Sequence, residues 1–167
     1  MNITDAARQK VQLHEMVLGG VAGDAPDASL IVLHGLGTLG RDFVPMLQQI
    51  DVSGLGTVRC LLPNAPQRTI SLNGQSMAAW YDAQPVDPRR QTPQPSDENG
   101  LRASQRIVQA LIDREEARGV PSERIVLMGF SQGAVLALHT GLRAPQRLGG
   151  MAALSGYLPL SVRVVQE

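Results

Sequence analysis

Apolar positions occur along the chain in short continuous runs that are typical of strands buried on both faces. The clearest of these runs are at residues 29–33, 57–62 and 124–128, and residues 148–155 form a last strand-like run. A run at residues 11–18 mixes apolar with polar side chains and ends in two glycines, which predicts an edge strand. These five runs are the predicted strands.

Segments with helical spacing separate the strands. The predicted helices are residues 41–50, 99–118 and 131–142. In the middle helix, apolar residues recur every three or four positions and form one face. Ser96 or Asp97 can cap its start, and Gly119 fits the left-handed position after its last turn.

The remaining segments read as loops. Residues 23–28 predict a turn, and residues 63–79 predict a long ordered loop that begins where Pro63 ends a strand. Residues 83–99 hold four prolines among polar groups and predict a mobile segment. Strands alternating with helices indicate an α/β fold with a mostly parallel sheet flanked by helices, and 167 residues suggest one domain over 1–167.

Composition narrows the classes of partner. Lys plus Arg and Asp plus Glu are both 15, so no net field favours nucleic acid. The polar start lacks a secretory pattern, and no stretch approaches the roughly 20 apolar residues of a membrane span. A single cysteine, Cys60, precludes an internal disulfide and is expected to be a small buried apolar residue. We therefore expect a cytoplasmic protein that binds no nucleic acid.

The strongest chemical signal is Gly129-Phe130-Ser131-Gln132-Gly133, which lies between a predicted strand and a predicted helix. This G-x-S-x-G pattern places a serine on a sharp strand-to-helix turn, where its hydroxyl is exposed as a nucleophile. Glycines two residues to either side let neighbouring backbone pass without a Cβ clash. Ser131 is thus the candidate nucleophile, and the alternative is a glycine-rich turn without chemistry.

A second glycine-rich loop, His34-Gly35-Leu36-Gly37, follows an earlier strand. Hydrolases of this architecture stabilise a tetrahedral oxyanion with the N–H of the residue after the nucleophile, here Gln132, and an N–H from such a loop. His34 precedes the nucleophile, whereas the base usually follows it. We therefore expect His34 to be a hydrogen-bonding strut.

Ordered segments carry a family resemblance. They are HGLG at 34–37, PNAP at 63–66, Asn73-Gly74, Met77 with AWYD at 79–82, GFSQGA at 129–134, LRAP at 142–145 and LSGYLP at 154–159. With these segments the chain resembles the phospholipase/carboxylesterase family, which includes bacterial carboxylesterases and acyl-protein thioesterases. The resemblance covers about residues 29–159.

The resemblance implies an α/β-hydrolase fold and cleavage of carboxylic esters or thioesters by a Ser-His-Asp triad, without metal or cofactor. It makes Ser131 the nucleophile and gives the oxyanion-hole N–H groups to Leu36 and Gln132. Trp80 and Gly37 would belong to the substrate-binding site, with residues 63–82 shaping its mouth. The implied ligand is an acyl ester or a small-molecule ester.

The chain departs from the family pattern in three places. Thr38-Leu39 and Asn64 differ beside the site and are expected to alter substrate fit. More seriously, the family places its Asp and His after LSGYLP, whereas no Asp follows Ser131 here. The only later histidine, His139, is eight residues along the same helix, about 12 Å away. We therefore expect a chain truncated at its C-terminus, which lacks the last strands.

Two other hypotheses stay open. The chain could be a catalytically impaired α/β-hydrolase-like binding or interaction protein, and its unpaired sheet edge would then favour association, with a homodimer as one form. Alternatively, His34 could pair with an upstream carboxylate such as Asp82 or Asp97, since triads occur in several chain orders.

Overall fold

The computed structural model describes residues 11–20, 25–83 and 97–159. Its strands are β1 (Leu13–Leu18), β2 (Ala28–Leu33), β3 (Val58–Pro63), β4 (Gln67–Thr69), β5 (Ser76–Ala78), β6 (Ile125–Phe130) and β7 (Gly150–Leu154). Its α-helices are α1 (Val44–Leu47), α2 (Glu98–Ala117) and α3 (Gln132–Gly141). Short 3-10 helices occupy Gly40–Phe43 and Ser122–Arg124.

Five of these strands form one sheet in the order β1-β3-β2-β6-β7. β1 is antiparallel to β3, and the other three pairs are parallel. The predicted mostly parallel sheet flanked by helices is confirmed. Because β2 and β6 are adjacent and parallel, the loops that follow them emerge at the same edge, which is where open α/β sheets bind ligands.

The alternation of side chains along β2 divides the core between the two sheet faces. Ile31 and Leu33 pack in a cluster with residues of α2 and α3. Val32 points the other way and packs with Leu47 of α1. The three central strands β2, β3 and β6 are therefore covered on both faces, which explains why they read as continuous apolar runs.

The ends of α2 follow the predicted capping pattern. The Asp97 carboxylate accepts a hydrogen bond from the Gly100 N–H at 2.8 Å, while the alternative cap, Ser96, lies outside the described residues. Gly119 follows the helix with φ +93°, the left-handed conformation that glycine adopts without strain. Both helix boundaries could therefore be read from the sequence to within about a residue.

A buried carboxylate joins α2 to three strands. The Glu115 side chain is fully buried, accepts the Ser29 hydroxyl at 2.8 Å from β2, and pairs with Arg59 of β3 at 3.3 Å. Arg114 and Arg118 contact Glu115 and also bind Glu15 of β1. This network fixes the helix across the sheet at the start of β2.

The predicted helix over residues 41–50 is wrong in its extent. The chain forms a 3-10 turn at Gly40–Phe43 and then a single α-helical turn at Val44–Leu47. Pro45 explains the break, since a continuous helix from residue 41 would need an N–H at that position. Proline is instead tolerated in the first turn of α1.

The loop predicted over residues 63–79 is also wrong in part. It contains β4 and β5, which pair antiparallel with Gln67 opposite Ala78 and Thr69 opposite Ser76. Gly74, at φ +69°, closes the turn by donating its N–H to the Ile70 carbonyl at 2.7 Å. Pro63 is the last residue of β3 rather than the first of the loop.

Several predictions fall wholly or partly outside the described residues. The mobile segment predicted at 83–99 falls mostly on residues 84–96, and the turn at 23–28 includes residues 23 and 24. The extent of the single domain over 1–167 likewise stays a prediction. In the described part of the chain, no helix is both long and apolar enough to cross a bilayer.

Candidate active site

Ser131 occupies the sharp turn between β6 and α3. Its backbone has φ 53° and ψ −115°, outside the regions that residues with a Cβ ordinarily adopt. Strain of this kind costs on the order of 1–3 kcal/mol and persists only where the surroundings fix it. The side chain is partly exposed, as the predicted turn requires.

The two motif glycines make this turn sterically feasible. A Cβ on Gly129 would overlap the carbonyl of Gly133, and a Cβ on Gly133 would overlap the carbonyl of Leu33 at the end of β2. The second contact shows that α3 begins directly against the loop that follows β2. The glycine spacing therefore serves both the turn and the close approach of two segments.

The start of α3 leaves backbone donors beside Ser131. The Ser131 carbonyl accepts the N–H groups of Ala134 and Val135 at 3.0 and 3.2 Å. Gln132 is the first helical residue, and the first N–H groups of an α-helix have no acceptor within it. The Gln132 N–H is therefore free of the helix ladder, at the positive end of the helix dipole.

The loop after β2 lies against this turn. A Cβ built on Gly35 would be 3.6 Å from the Ser131 Cβ and 3.3 Å from the Phe130 ring. Gly37 adopts φ +74°, and the Thr38 N–H returns to the Gly35 carbonyl at 3.3 Å, so the loop is a tight turn with glycine where φ must be positive.

Hydrogen bonds to one carbonyl set the orientation of the Leu36 N–H. The Gly35 carbonyl accepts His34 Nδ1–H at 2.7 Å and the Thr38 hydroxyl at 2.9 Å. In a planar trans peptide, the carbonyl of Gly35 and the N–H of Leu36 point in opposite directions. Fixing the carbonyl on the side of His34 and Thr38 thus turns the Leu36 N–H the other way.

His34 is a fully buried strut, as expected from its place before the nucleophile. Its Nδ1–H donates to Gly35, so Nε2 is the unprotonated nitrogen and accepts the Ala65 N–H at 2.8 Å. Burial lowers the pKa of His34 below 6.5, against the raising effects of the Gly35 carbonyl and Asp42. Both ring nitrogens are therefore engaged in holding loops.

The alternative triad of His34 with an upstream carboxylate is wrong. Asp82 accepts the Ser71 N–H at 2.8 Å and the Ser71 hydroxyl at 2.6 Å. Asp97 accepts the N–H groups of Asp82 and Gly100 and pairs with Arg68 at 3.3 Å. Since Nδ1 of His34 donates to a backbone carbonyl, neither carboxylate orients it.

Trp80 lies beneath the site rather than at its surface. Its side chain is fully buried, and its indole N–H donates to the His34 carbonyl at 2.9 Å. In this conformation the ring is closed to a substrate, so its predicted substrate contact becomes a supporting role. Gly37 is exposed, and its place in the substrate site stays a prediction.

Residues 154–159 close the other side of the turn. The Leu154 carbonyl accepts the Ser131 N–H at 2.8 Å, and a Cβ on Gly156 would overlap the Ala134 Cβ. Tyr157 shares a hydrogen bond with Tyr81, and burial raises the pKa of both phenols. The two tyrosines are therefore neutral near pH 7 and unsuited to act as bases.

No hydrogen bond to the Ser131 hydroxyl is found among the described residues. His14 is in β1, which is separated from β6 by two strands, and His139 is buried two turns along α3. His139 is thus a buried residue of α3. Since these two residues and His34 are the three histidines of the sequence, none of them is placed to take the Ser131 proton.

The two family departures beside the site prove to be structural links. Asn64 accepts the Gly40 N–H at 2.8 Å and donates to the Gln12 side chain at 3.0 Å. Thr38 helps to fix the Gly35 carbonyl. These side chains hold backbone groups, and their expected effect on substrate fit stays a prediction.

The other groups that could carry chemistry are either buried or too far apart to act together. Cys60 is fully buried, and burial raises the pKa of its thiol to about 11, so it is not a second nucleophile. Within residues 11–20, 25–83 and 97–159, no three His, Cys, Asp or Glu side chains cluster closely enough to hold a metal ion.

Known proteins of one family are similar to this chain. The family profile described as Phospholipase/Carboxylesterase matches residues 21–167. Acyl-protein thioesterase 1 of Schizosaccharomyces pombe is 40% identical over 139 residues, which cover 82% of this chain and 59% of that protein. Acyl-protein thioesterase 1 homolog 1 of Dictyostelium discoideum is 39% identical over 142 residues, covering 83% of this chain and 61% of that protein.

A solved structure is similar over the same region. Arabidopsis thaliana SOBER1 aligns with a TM-score of 0.75 and 33% identity, over 83% of this chain and 66% of that chain. The similarity extends the fold description to that of the α/β-hydrolases. The chain spans about three fifths of the length of the curated relatives that it matches.

Proposed function

Because this chain belongs to the phospholipase/carboxylesterase family, we propose that it is a serine hydrolase that cleaves carboxylic esters or thioesters through an acyl-enzyme at Ser131. The observation that carries the proposal is the strained Ser131 turn, with the Gly35–Gly37 loop packed against it. A strained serine beside a glycine-rich loop and the start of a helix is suited to attack an acyl carbon, and the N–H groups of that loop and that helix start are the proposed oxyanion donors.

In the proposed reaction, the Ser131 Oγ bonds to the acyl carbon while its proton passes to a base. The carbonyl electron pair moves to oxygen, and the N–H groups of Leu36 and Gln132 bind the resulting oxyanion. Collapse of this intermediate breaks the C–O or C–S bond, and the leaving alcohol or thiol takes the proton back. Water then hydrolyses the acyl-serine by the same steps.

The described residues do not supply the base that this reaction needs. None of the three histidines reaches Ser131, so we propose that the base and its acidic partner belong to polypeptide outside these 167 residues. The greater length of the relatives supports this assignment. The 167-residue chain alone would then have an assembled oxyanion site and a weakly activated serine.

A binding or interaction protein is the second candidate, and the absence of a base beside Ser131 is the observation that favours it. Such a protein would accept an acyl group in the same place without turning it over. The two candidates differ in whether Ser131 makes a covalent bond to the acyl group.

The test is the reaction of the purified 167-residue chain with p-nitrophenyl acetate and with a matched acetyl thioester, followed by mass spectrometry. We expect slow acetylation of Ser131 that is absent in Ser131→Ala, whereas the roughly 10³-fold turnover over water that binding and the oxyanion donors alone provide should survive that change. Ser53→Ala, at an exposed position, should be acetylated at Ser131 as fast as the wild type. No acetyl group on Ser131 would refute the hydrolase assignment and leave the binding candidate.

Three narrower expectations accompany the proposal. The cytoplasmic location, the homodimer and the absence of nucleic-acid binding all rest on sequence reasoning. Sedimentation of the purified chain over a range of concentrations measures its assembly directly. A single monomeric species at every concentration would contradict the homodimer.

A further inference from the structure

The side chain of Gln132 has a use that its backbone role does not require. It is almost completely buried, at 6% exposure, and both ends of its amide are bonded. Its Oε1 accepts the Trp80 N–H at 2.7 Å, and its Nε2 donates to the Tyr81 carbonyl at 2.8 Å. Gln132, whose N–H is a proposed oxyanion donor, thus binds through its side chain the backbone of a segment some 50 positions earlier in the chain.

The same segment also holds the other oxyanion loop. The Gly37 N–H donates to the Ala78 carbonyl at 2.9 Å, and the Trp80 indole N–H donates to the His34 carbonyl, also at 2.9 Å. Residues 78–81 therefore bond at one side to the loop after β2 and at the other to the start of α3. We call residues 78–81 the brace.

The brace is also hydrogen-bonded to α2 and to Pro66. The Ser104 hydroxyl of α2 donates to the Trp80 carbonyl, and the Ala79 N–H donates to the Pro66 carbonyl at 3.0 Å. Ser104, Trp80 and Ala79 are all fully buried. These bonds are shielded from water, so the brace is rigid relative to the helix beneath it.

We propose that the brace fixes the spacing between the Leu36 and Gln132 N–H groups, and that the Gln132 side chain is the positioning residue that couples them. The proposal rests on the proposed function, since the spacing matters only where an oxyanion forms. Oxyanion donors act at about 2.7–3.1 Å, so small displacements weaken them. Both donors follow strand ends, where the sheet ladder no longer sets their separation.

Two variants separate positioning from simple folding. Gln132→Met keeps the length of the side chain and removes both bonds. Gln132→Glu keeps the shape, but an ionised carboxylate would face the Tyr81 carbonyl, whereas the protonated form can donate to it as glutamine does. Lowering the pH should therefore restore the brace in Gln132→Glu, while the wild type reacts no faster at low pH.

The matched control removes another buried hydrogen bond, far from the site. Ser29 is 1% exposed, and its hydroxyl donates to Glu115 at 2.8 Å. Ser29→Ala should cost stability of the same order as Gln132→Met without reaching the brace. A change in hydrogen exchange or labelling that results only from lower stability would appear in both Ser29→Ala and Gln132→Met.

The decisive experiment measures amide hydrogen exchange of Gly37 in each variant, together with the rate at which a fluorophosphonate labels Ser131. Loss of the brace should speed Gly37 exchange about tenfold in Gln132→Met and leave it unchanged in Ser29→Ala. Labelling should slow about tenfold or more in Gln132→Met and recover at low pH in Gln132→Glu.

The two readouts test the brace and the proposed function separately. Unchanged Gly37 exchange in Gln132→Met overturns the brace, as does labelling at the wild-type rate. If the wild type itself is not labelled, the proposed function fails, and exchange at Gly37 still decides whether the brace couples the two loops. If Gln132→Met does not fold, pH-dependent exchange in Gln132→Glu gives the same decision.

Discussion

Ser131 and Ser155 are the two residues other than glycine in the described segments that have a positive φ angle. The strain at Ser131 follows from its motif, and the sequence alone is enough to predict it, because both glycines are local. The contacts of Gln132 and Thr38 are different in kind. Trp80 is 52 positions from Gln132, so no local pattern indicates that the Gln132 side chain is bonded rather than exposed.

His34 gives a prediction at the same scale. Because burial lowers its folded-state pKa below 6.5, the unfolded chain binds a proton at higher pH than the folded chain. The contribution of His34 to stability is thus complete above pH 6.5 and is lost as the pH falls toward the folded-state pKa, at up to about 1.4 kcal/mol per pH unit. The free energy of unfolding measured by urea titration should therefore fall as the pH is lowered from 6.5 toward the folded-state pKa.

NMR of the His34 ring checks the cause directly. We expect the ¹⁵N shifts to show a neutral ring with the proton on Nδ1, and a titration midpoint below 6.5. A proton on Nε2, or a midpoint at or above 6.5, would contradict the strut described here.

At the scale of elements, buried strands were predictable because each is a continuous apolar run. The two errors have physical causes. Pro45 breaks a segment whose apolar spacing suggests one helix, and the β4–β5 hairpin is too short and too polar to show a strand pattern. The Asn73-Gly74 pair was the available signal for that hairpin, since this dipeptide favours tight turns between strands.

Besides its apolar packing, α2 is attached to the sheet by one buried carboxylate, Glu115. Replacing Glu115 by alanine would leave the partly buried Arg59 without its partner and Ser29 without its acceptor. We expect the free energy of unfolding to fall by about 3 kcal/mol, the lower end for a broken buried pair, because Arg59 keeps some contact with water. Urea denaturation measures this loss.

Glu123 provides the matched control. It is exposed, so Glu123→Ala should change the free energy of unfolding by no more than about 0.5 kcal/mol. If Glu115→Ala proves as mild as the control, the network around Glu115 contributes little to holding α2.

At the scale of the whole molecule, the sheet order brings two distant loops together. β2 and β6 are neighbours although some 90 residues separate them, and that adjacency creates the site. Sequence motifs indicated both loops, but only the topology shows that they touch. Among the described strands, β7 is the last in the sheet, and its residues from Met151 to Leu154 are exposed and uncharged.

The central claim is that this chain assembles a nucleophile and its oxyanion donors but supplies no base to Ser131. The most direct test is the rate at which a fluorophosphonate labels Ser131, followed by mass spectrometry with and without added imidazole. The account predicts slow labelling alone, acceleration as imidazole takes the serine proton, and none in Ser131→Ala. Rapid labelling without imidazole, or none at Ser131 with it, would contradict the account.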